Sequence, residues 1–203
     1  HCQFQEMNAA WHIDGGNAWH TAFSATWEKG NSWPTLAFGT YIDAQFQDQP
    51  WGHCSDNVLL RPRADGQGYQ APVTLSPSFC ALSMLFTDWN RSGTASLRVS
   101  NDREYYMGGQ EQLWKVDPDK APSLYTEAEG WKFIRLWGMG IATADFNGSG
   151  YPSYFLSSMA DQRMQLLAGG PGKPTYREAQ FDMGTTAHRP YTGGDLRPST
   201  GWH

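Results

Sequence analysis

Charge is scarce in this chain. Asp, Glu, Lys and Arg make up 17% of the 203 residues, and a slight acidic excess leaves a formal net charge of −5. No run of lysines or arginines occurs, so the electrostatic footprint of a nucleic-acid binder is missing. No stretch reaches the roughly 18 apolar residues of a membrane-spanning helix. There are 6 histidines and 3 cysteines. No C-x-x-C or H-x-x-x-H spacing draws them into a metal site. The dipeptides His1-Cys2 and His53-Cys54 do not change that, because adjacent side chains rarely point at one ion. A G-x-S-x-G elbow and a glycine-rich phosphate loop are also missing, so neither acyl transfer nor nucleotide chemistry has a motif to rest on.

Turn formers and aromatics are plentiful instead. Gly (22), Pro (12), Trp (10), Tyr (9) and Phe (10) are all frequent. That mixture predicts short β-strands joined by tight turns rather than long helices. Because the first residue is His1 and not Met, we expect a processed or truncated product, from which any export signal would already be gone. Of the cysteines, Cys54 and Cys80 are the favoured disulfide pair, since they lie in neighbouring segments of one repeat. Cys2 is left free or paired outside the chain.

The chain repeats itself. "TWEKGNSWPTLAFGTYID" from Thr26, "DWNRSGTASLRVSNDRE" from Asp88 and "DFNGSGYPSYFLSSMAD" from Asp145 align. Each is a polar, glycine-bearing loop followed by an alternating apolar strand, and a small apolar run precedes each loop. Such units read as β-hairpins. Each is followed by a second hairpin pattern whose last strand carries Tyr69, Tyr125 or Tyr176. Four strands recurring with a period of about 60 residues predict an all-β fold of β-propeller blades. A helical repeat is excluded by Gly/Pro punctuation about every 8 to 12 residues. The expected blades span 20–78, 79–135 and 136–185 of a single segment 1–203, with 186–203 as the lead-in to a further blade. Three blades leave sheet edges open, so other blades or partner subunits are expected to cover them.

The loops resemble the FG-GAP/VCBS repeat, whose loop reads D-x-[DN]-x-[DS]-G-x-x-D. Asp88, Asn90, Ser92, Gly93 and Ser96 fill that pattern in the second repeat. Asp145, Asn147, Ser149, Gly150 and Ser153 fill it in the third. "WPTLAFGTYID", "LRVSNDREYY" and the closing "TAHRPYTGGDLRPSTGWH" are similar, more narrowly, to bacterial relatives of cartilage acidic protein, in which such repeats often precede an ASPIC/UnbV module. The resemblance implies calcium, held by side chains at loop positions 1, 3, 5 and 9 and by the position-7 carbonyls of Thr94 and Tyr151. It also implies binding or adhesion rather than chemistry, in an extracellular or periplasmic setting.

The departures from that pattern carry weight. Calcium takes about 6–8 oxygen ligands, carboxylates among them. Serine stands at position 9, so each loop has one carboxylate and the expected sites are weak. The first loop, with Thr26, Glu28 and Thr35 set around an extra residue and Gly30 and Asn31 in the turn, is expected to hold no metal. All three loops can also be read as Asx turns that need no ion. The sequons at Asn90 and Asn147 are a by-product of the same serines. If calcium is bound, Asp145→Ala should lower thermal stability only in its presence.

Asp43, Asp102, Arg103 and Asp161 follow corresponding strands and are expected on one rim of the propeller. That rim could be a solvated loop set, a binding surface or the active site of a hydrolase. Trp27, Trp33, Trp51, Trp89, Trp114, Trp131 and Trp137 are expected mainly as core between sheets. The overall expectation is a calcium-stabilised scaffold that docks a protein or glycan partner. The alternatives are a propeller-face hydrolase and an accessory subunit of a larger assembly.

Overall fold

The computed structural model describes residues 2–43, 45, 52–103, 111–159, 162–167, 169 and 175–179. Trp51, Asp161 and the segment 186–203 lie outside the described residues. The protein is all-β, and the described strands form four antiparallel sheets. The first sheet contains β1 (His20–Thr26), β2 (Thr35–Thr40), β5 (Asn57–Leu60) and β6 (Val73–Leu75), in that spatial order. Between β2 and β5 the chain makes a two-stranded ribbon, β3 (Ile42–Asp43) with β4 (His53–Cys54). The second sheet is β7 (Ala81–Thr87), β8 (Ser96–Asn101), β9 (Gln112–Lys115) and β10 (Ser123–Leu124). The third is β11 (Gly138–Ala144), β12 (Ser153–Ser158), β13 (Arg163–Leu167) and β14 (Tyr176–Glu178). Among the described residues these sheets do not form a closed ring.

Each large sheet is a meander in which strands adjacent in sequence, ribbon aside, are adjacent in space. Their registers repeat in detail. The first strand of each has an irregularity near its start, at His20/Ala22, Ala81/Ser83 and Gly138/Gly140. Each first hairpin closes on a small residue, with Thr26 opposite Thr35, Thr87 opposite Ser96 and Ala144 opposite Ser153. The intervening loops 27–34, 88–95 and 145–152 are therefore equal in length. The first loop has no extra residue, and its opening position is Trp27 rather than Thr26.

The second sheet lies between the other two, and its sequence says why. Strand β8, Ser96–Asn101, is buried at every residue, so neither face can be given over to water. Leu97 and Val99 join Ala37, Leu59, Leu75, Met84 and Trp114 in a core shared with the first sheet. On the other side Trp89, Leu113, Trp131, Tyr154 and Tyr176 build a core shared with the third. The first strands of neighbouring sheets run close together. Thr21 donates to the Ala81 carbonyl (2.6 Å), and the Phe86 N–H donates to Ser24 Oγ (3.0 Å). At Gly138 a Cβ would sit 2.1 Å from Ser100 Oγ, so only glycine permits this approach of the second and third sheets.

Arg98 is fully buried between the second and third sheets. Its guanidinium lies over Tyr154 (4.4 Å) and Trp131 (4.9 Å) and donates to Gln165 Oε1 at 2.6 Å. Loss of solvation pushes its pKa below the ordinary arginine value.

Cys54 and Cys80 are joined by a disulfide with a Cα–Cα distance of 4.8 Å. The pairing is the expected one, but the two cysteines do not belong to one repeat. Cys54 ends the ribbon of the first sheet, and Cys80 directly precedes β7 of the second. Cys2 is exposed and free. Among the described residues no helix is long and apolar enough to cross a membrane.

Candidate functional site

The loops after β7 and β11 are built around one aspartate each. Asp88 Oδ1 accepts the Ser92 N–H (2.8 Å) and Oδ2 accepts the Gly93 N–H (2.9 Å). Asp145 does the same with Ser149 (2.9 Å) and Gly150 (2.8 Å). The position-6 glycines have φ of 83° and 76°, a left-handed backbone that presents their N–H groups to the carboxylate. Position 4 is left-handed in all three loops, as Gly30, Arg91 and Gly148. Arg91 adopts it without glycine's freedom, and its guanidinium lies 5.6 Å from the Tyr151 ring, joining the two loops.

The remaining oxygens cluster with the carboxylate only in part. Ser92 Oγ lies 3.3 Å from Asp88 Oδ1 and 3.4 Å from the Thr94 carbonyl. Ser149 Oγ lies 3.4 Å from Asp145 Oδ1. Asn90 Oδ1 accepts the Ser92 N–H at 3.3 Å, while the Asn147 amide donates to the Leu167 carbonyl at 3.5 Å. Position 9 departs from the rest. Ser96 is buried and its hydroxyl meets the Tyr125 hydroxyl at 3.2 Å. Ser153 is fully buried at the start of β12. Neither hydroxyl bonds to the Asp-anchored cluster among the described residues. The second loop thus gathers a carboxylate, an amide oxygen, a hydroxyl and a carbonyl, and the third a carboxylate and a hydroxyl, against the roughly 6–8 oxygens calcium takes. With water completing the shell, that donor set fits a weak ion site and not a tight one. Among the described residues no three His, Cys, Asp or Glu side chains converge as a metal cluster.

The hydrogen bonds add a second expectation for Asp145→Ala: the carboxylate accepts two backbone N–H groups of its own loop, so its loss should cost stability in chelator as well.

The first loop is organised differently. Trp27 stands where the aspartate would be and Lys29 where the asparagine would be, given the register of Thr26 and Thr35. Glu28 turns away from the loop and pairs with Arg61 at 3.2 Å, both side chains 11% exposed. Arg61 also donates to the Val116 carbonyl (2.5 Å), so this carboxylate ties the first sheet to the second.

Of the three tyrosines expected on last strands only Tyr176 lies in one, at the start of β14; Tyr69 precedes β6, bridged to Pro62, and Tyr125 directly follows β10, yet each reaches back toward the hairpin loop. Tyr69 donates to the Pro34 carbonyl (3.0 Å), Tyr125 meets Ser96, and the Tyr176 hydroxyl shares its single proton between the carbonyls of Pro152 (2.7 Å) and Trp89 (2.9 Å). Their recurrence in the sequence was the signal; the reach to the start of each sheet's second strand was not readable there. Burial raises the pKa of Tyr69 and Tyr176 above the usual tyrosine value.

Of the rim residues, the structure brings Asp102 and Arg103 to Tyr41 at the opposite end of the sheets. Tyr41 donates to Asp102 Oδ2 at 2.5 Å, and the Arg103 guanidinium lies 5.4 Å from its ring. Burial, with the Asp102 hydrogen bond, raises the Tyr41 pKa. Asp102 is thereby committed to structure. Asp43 instead opens onto a cavity that it shares with Trp19, an exposed residue that the repeat pattern did not single out. Trp89, Trp114 and Trp131 are core as expected, and Trp33 and Trp137 are half-buried. Trp27 is 66% exposed, contrary to that expectation, because an indole at loop position 1 has no carboxylate with which to bond the loop backbone as Asp88 and Asp145 do. No protein-family model and no curated protein matches the chain.

Proposed function

We propose that the three large sheets are consecutive blades of a β-propeller of FG-GAP/VCBS type, and that the protein is an extracytoplasmic binding scaffold rather than an enzyme. The observation that carries this reading is the threefold recurrence of one register: a meander, an irregular first strand, a loop of constant length and a tyrosine reaching back to it. The Cys54–Cys80 disulfide supports an oxidising compartment. Among the described residues of the rim, Asp102 accepts from the Tyr41 hydroxyl and Asp43 from the Gln45 N–H.

In this reading calcium binds weakly to the second and third loops. Asp88, Asn90, Ser92 and the Thr94 carbonyl would hold one ion, and Asp145, Asn147, Ser149 and the Tyr151 carbonyl another. Calcium there would neutralise the aspartate and crosslink loop oxygens. The deciding experiment is thermal unfolding of wild type and Asp145→Asn with calcium and with chelator. A calcium-dependent rise in the wild type, reduced in the variant, supports the reading; identical melting in all four samples sinks the calcium sites.

The outer face of the first sheet supports a further element of the proposal. Phe23, Phe38 and Val58 share a cross-strand row directed away from the second sheet, and Phe23 is 57% exposed. A propeller packs that face on another blade, from the same protein or from a neighbour. Sedimentation of this chain tests it: a monomer at high concentration argues against a neighbouring subunit.

A further inference from the structure

We propose that the cavity beside the β3–β4 ribbon binds a neutral carbohydrate, with Trp19 as the platform for a pyranose ring. This deepens the scaffold reading and rests on it, but needs neither calcium nor a closed ring of sheets. The cavity measures ≈ 500 Å³ and is lined by Asn17, Trp19, Ile42, Asp43, Gln45 and Ser55, with Ala18. That volume falls within the range of about 300–1,000 Å³ common to small-ligand sites.

Trp19 is 56% exposed, so its ring offers apolar area that a bound ligand would cover. The residue is nonetheless held firmly. Its carbonyl accepts the Tyr41 N–H (2.9 Å), and its indole makes a T-shaped contact with the Tyr41 ring, 5.4 Å away at 84°. Tyr41 is itself fixed by Asp102 and Arg103 of the second sheet. The platform is therefore braced across two sheets, and a ligand need not order it on binding.

The polar wall fits the hydroxyls of a sugar. Asn17 and Gln45 carry amides that both donate and accept, and Ser55 carries a hydroxyl. Asp43 is an acceptor with one oxygen committed to the Gln45 N–H at 2.9 Å. Among the described residues no Lys, Arg or His lines the cavity, so a phosphate, sulfate or acidic sugar would find no countercharge. A flat indole beside uncharged donors and one carboxylate suits a ring with an apolar C–H face and neutral hydroxyl edges. The cavity at Trp27 is the natural control. It is smaller, ≈ 390 Å³, and contains Lys29. Trp27 has no ring partner among the described residues.

The test is titration of the full chain with neutral mono- and oligosaccharides of glucose, galactose, mannose and N-acetylglucosamine, read by tryptophan fluorescence and calorimetry. The expected result is saturable binding of at least one sugar. Trp19→Ala should weaken it by about tenfold or more, as for a central aromatic contact. Trp19→Phe should give an intermediate affinity, Asp43→Ala a loss of several-fold, and Trp27→Ala no change. Wild-type melting of Trp19→Phe guards against a folding artefact. The proposal is overturned if no sugar of the panel binds, or if both Trp19 variants bind as wild type does. Loss of binding in Trp27→Ala alone moves the site to the other cavity and also overturns it. Release of a cleaved product from a bound sugar would do the opposite, sinking the non-catalytic scaffold reading while leaving the pocket in place.

Discussion

The first hairpin loop and the two that repeat it enclose equal lengths of chain, yet use a carboxylate in opposite ways. Asp88 and Asp145 turn inward and hold the backbone of their own loops. Glu28 turns outward and, through Arg61, ties one sheet to the next. The same hairpin geometry is thus maintained by local hydrogen bonds in two places and by a long-range ion pair in the third. A loop anchored on itself can be remodelled by an ion at small cost to its surroundings. One anchored on its neighbour cannot.

The largest expected effect tests the long-range anchor. Arg61→Ala strips Glu28 of its partner in a mostly dry site and should cost about 3 kcal/mol in urea denaturation. A cost below that of Asp145→Ala would break the comparison. Next come the local anchors. Asp88→Ala and Asp145→Ala should each cost about 1–2 kcal/mol in chelator, because each strands two backbone N–H groups. Unequal costs would show that the two loops are not equivalent.

Smaller effects should follow from the tyrosines. Tyr176→Phe removes a buried hydroxyl proton shared by two carbonyls and should cost about 1 kcal/mol, more than Tyr69→Phe and more again than Tyr125→Phe. Since the folded-state pKa of Tyr176 and Tyr69 is raised, their stabilisation is fully present below pH 10.0 and is lost as the pH climbs above it. An alkaline melting series should show that loss in the wild type and less of it in Tyr176→Phe. The smallest effect is that of calcium. At a dissociation constant of about 10⁻³ M, about 1 mM calcium adds about 0.4 kcal/mol per site. Asp88→Asn and Asp145→Asn should each remove one share, and Glu28→Gln none.

Much of the strand architecture was legible in the sequence, because alternating apolar residues and glycine-bearing loops are local signals. "DWNRSGTAS" and "DFNGSGYPS" announced their turns through residues that sit within one turn of each other. The disulfide partners were legible too, as two of only three cysteines. Register was not. Whether Thr26 or Trp27 opens the first loop depends on which residue Thr35 faces across the hairpin, and the sequence does not state a pairing. The same holds for the committed carboxylates. Nothing local distinguishes Glu28, bound to Arg61, from Asp88, bound to its own loop, or shows that Asp102 is held by Tyr41. Exposure escaped for a related reason. Trp19 and Trp89 are alike as letters, and only the neighbouring sheets decide that one is buried and the other borders a cavity.

The bond between Cys54 and Cys80 closes a covalent circle around the whole of β5 and β6. A protease that cuts anywhere within it leaves two polypeptides and still one molecule, because the severed ends remain tethered on both sides of the cut. Damage to the outer strands of the first sheet would therefore pass unnoticed in any assay of size until a reductant was added.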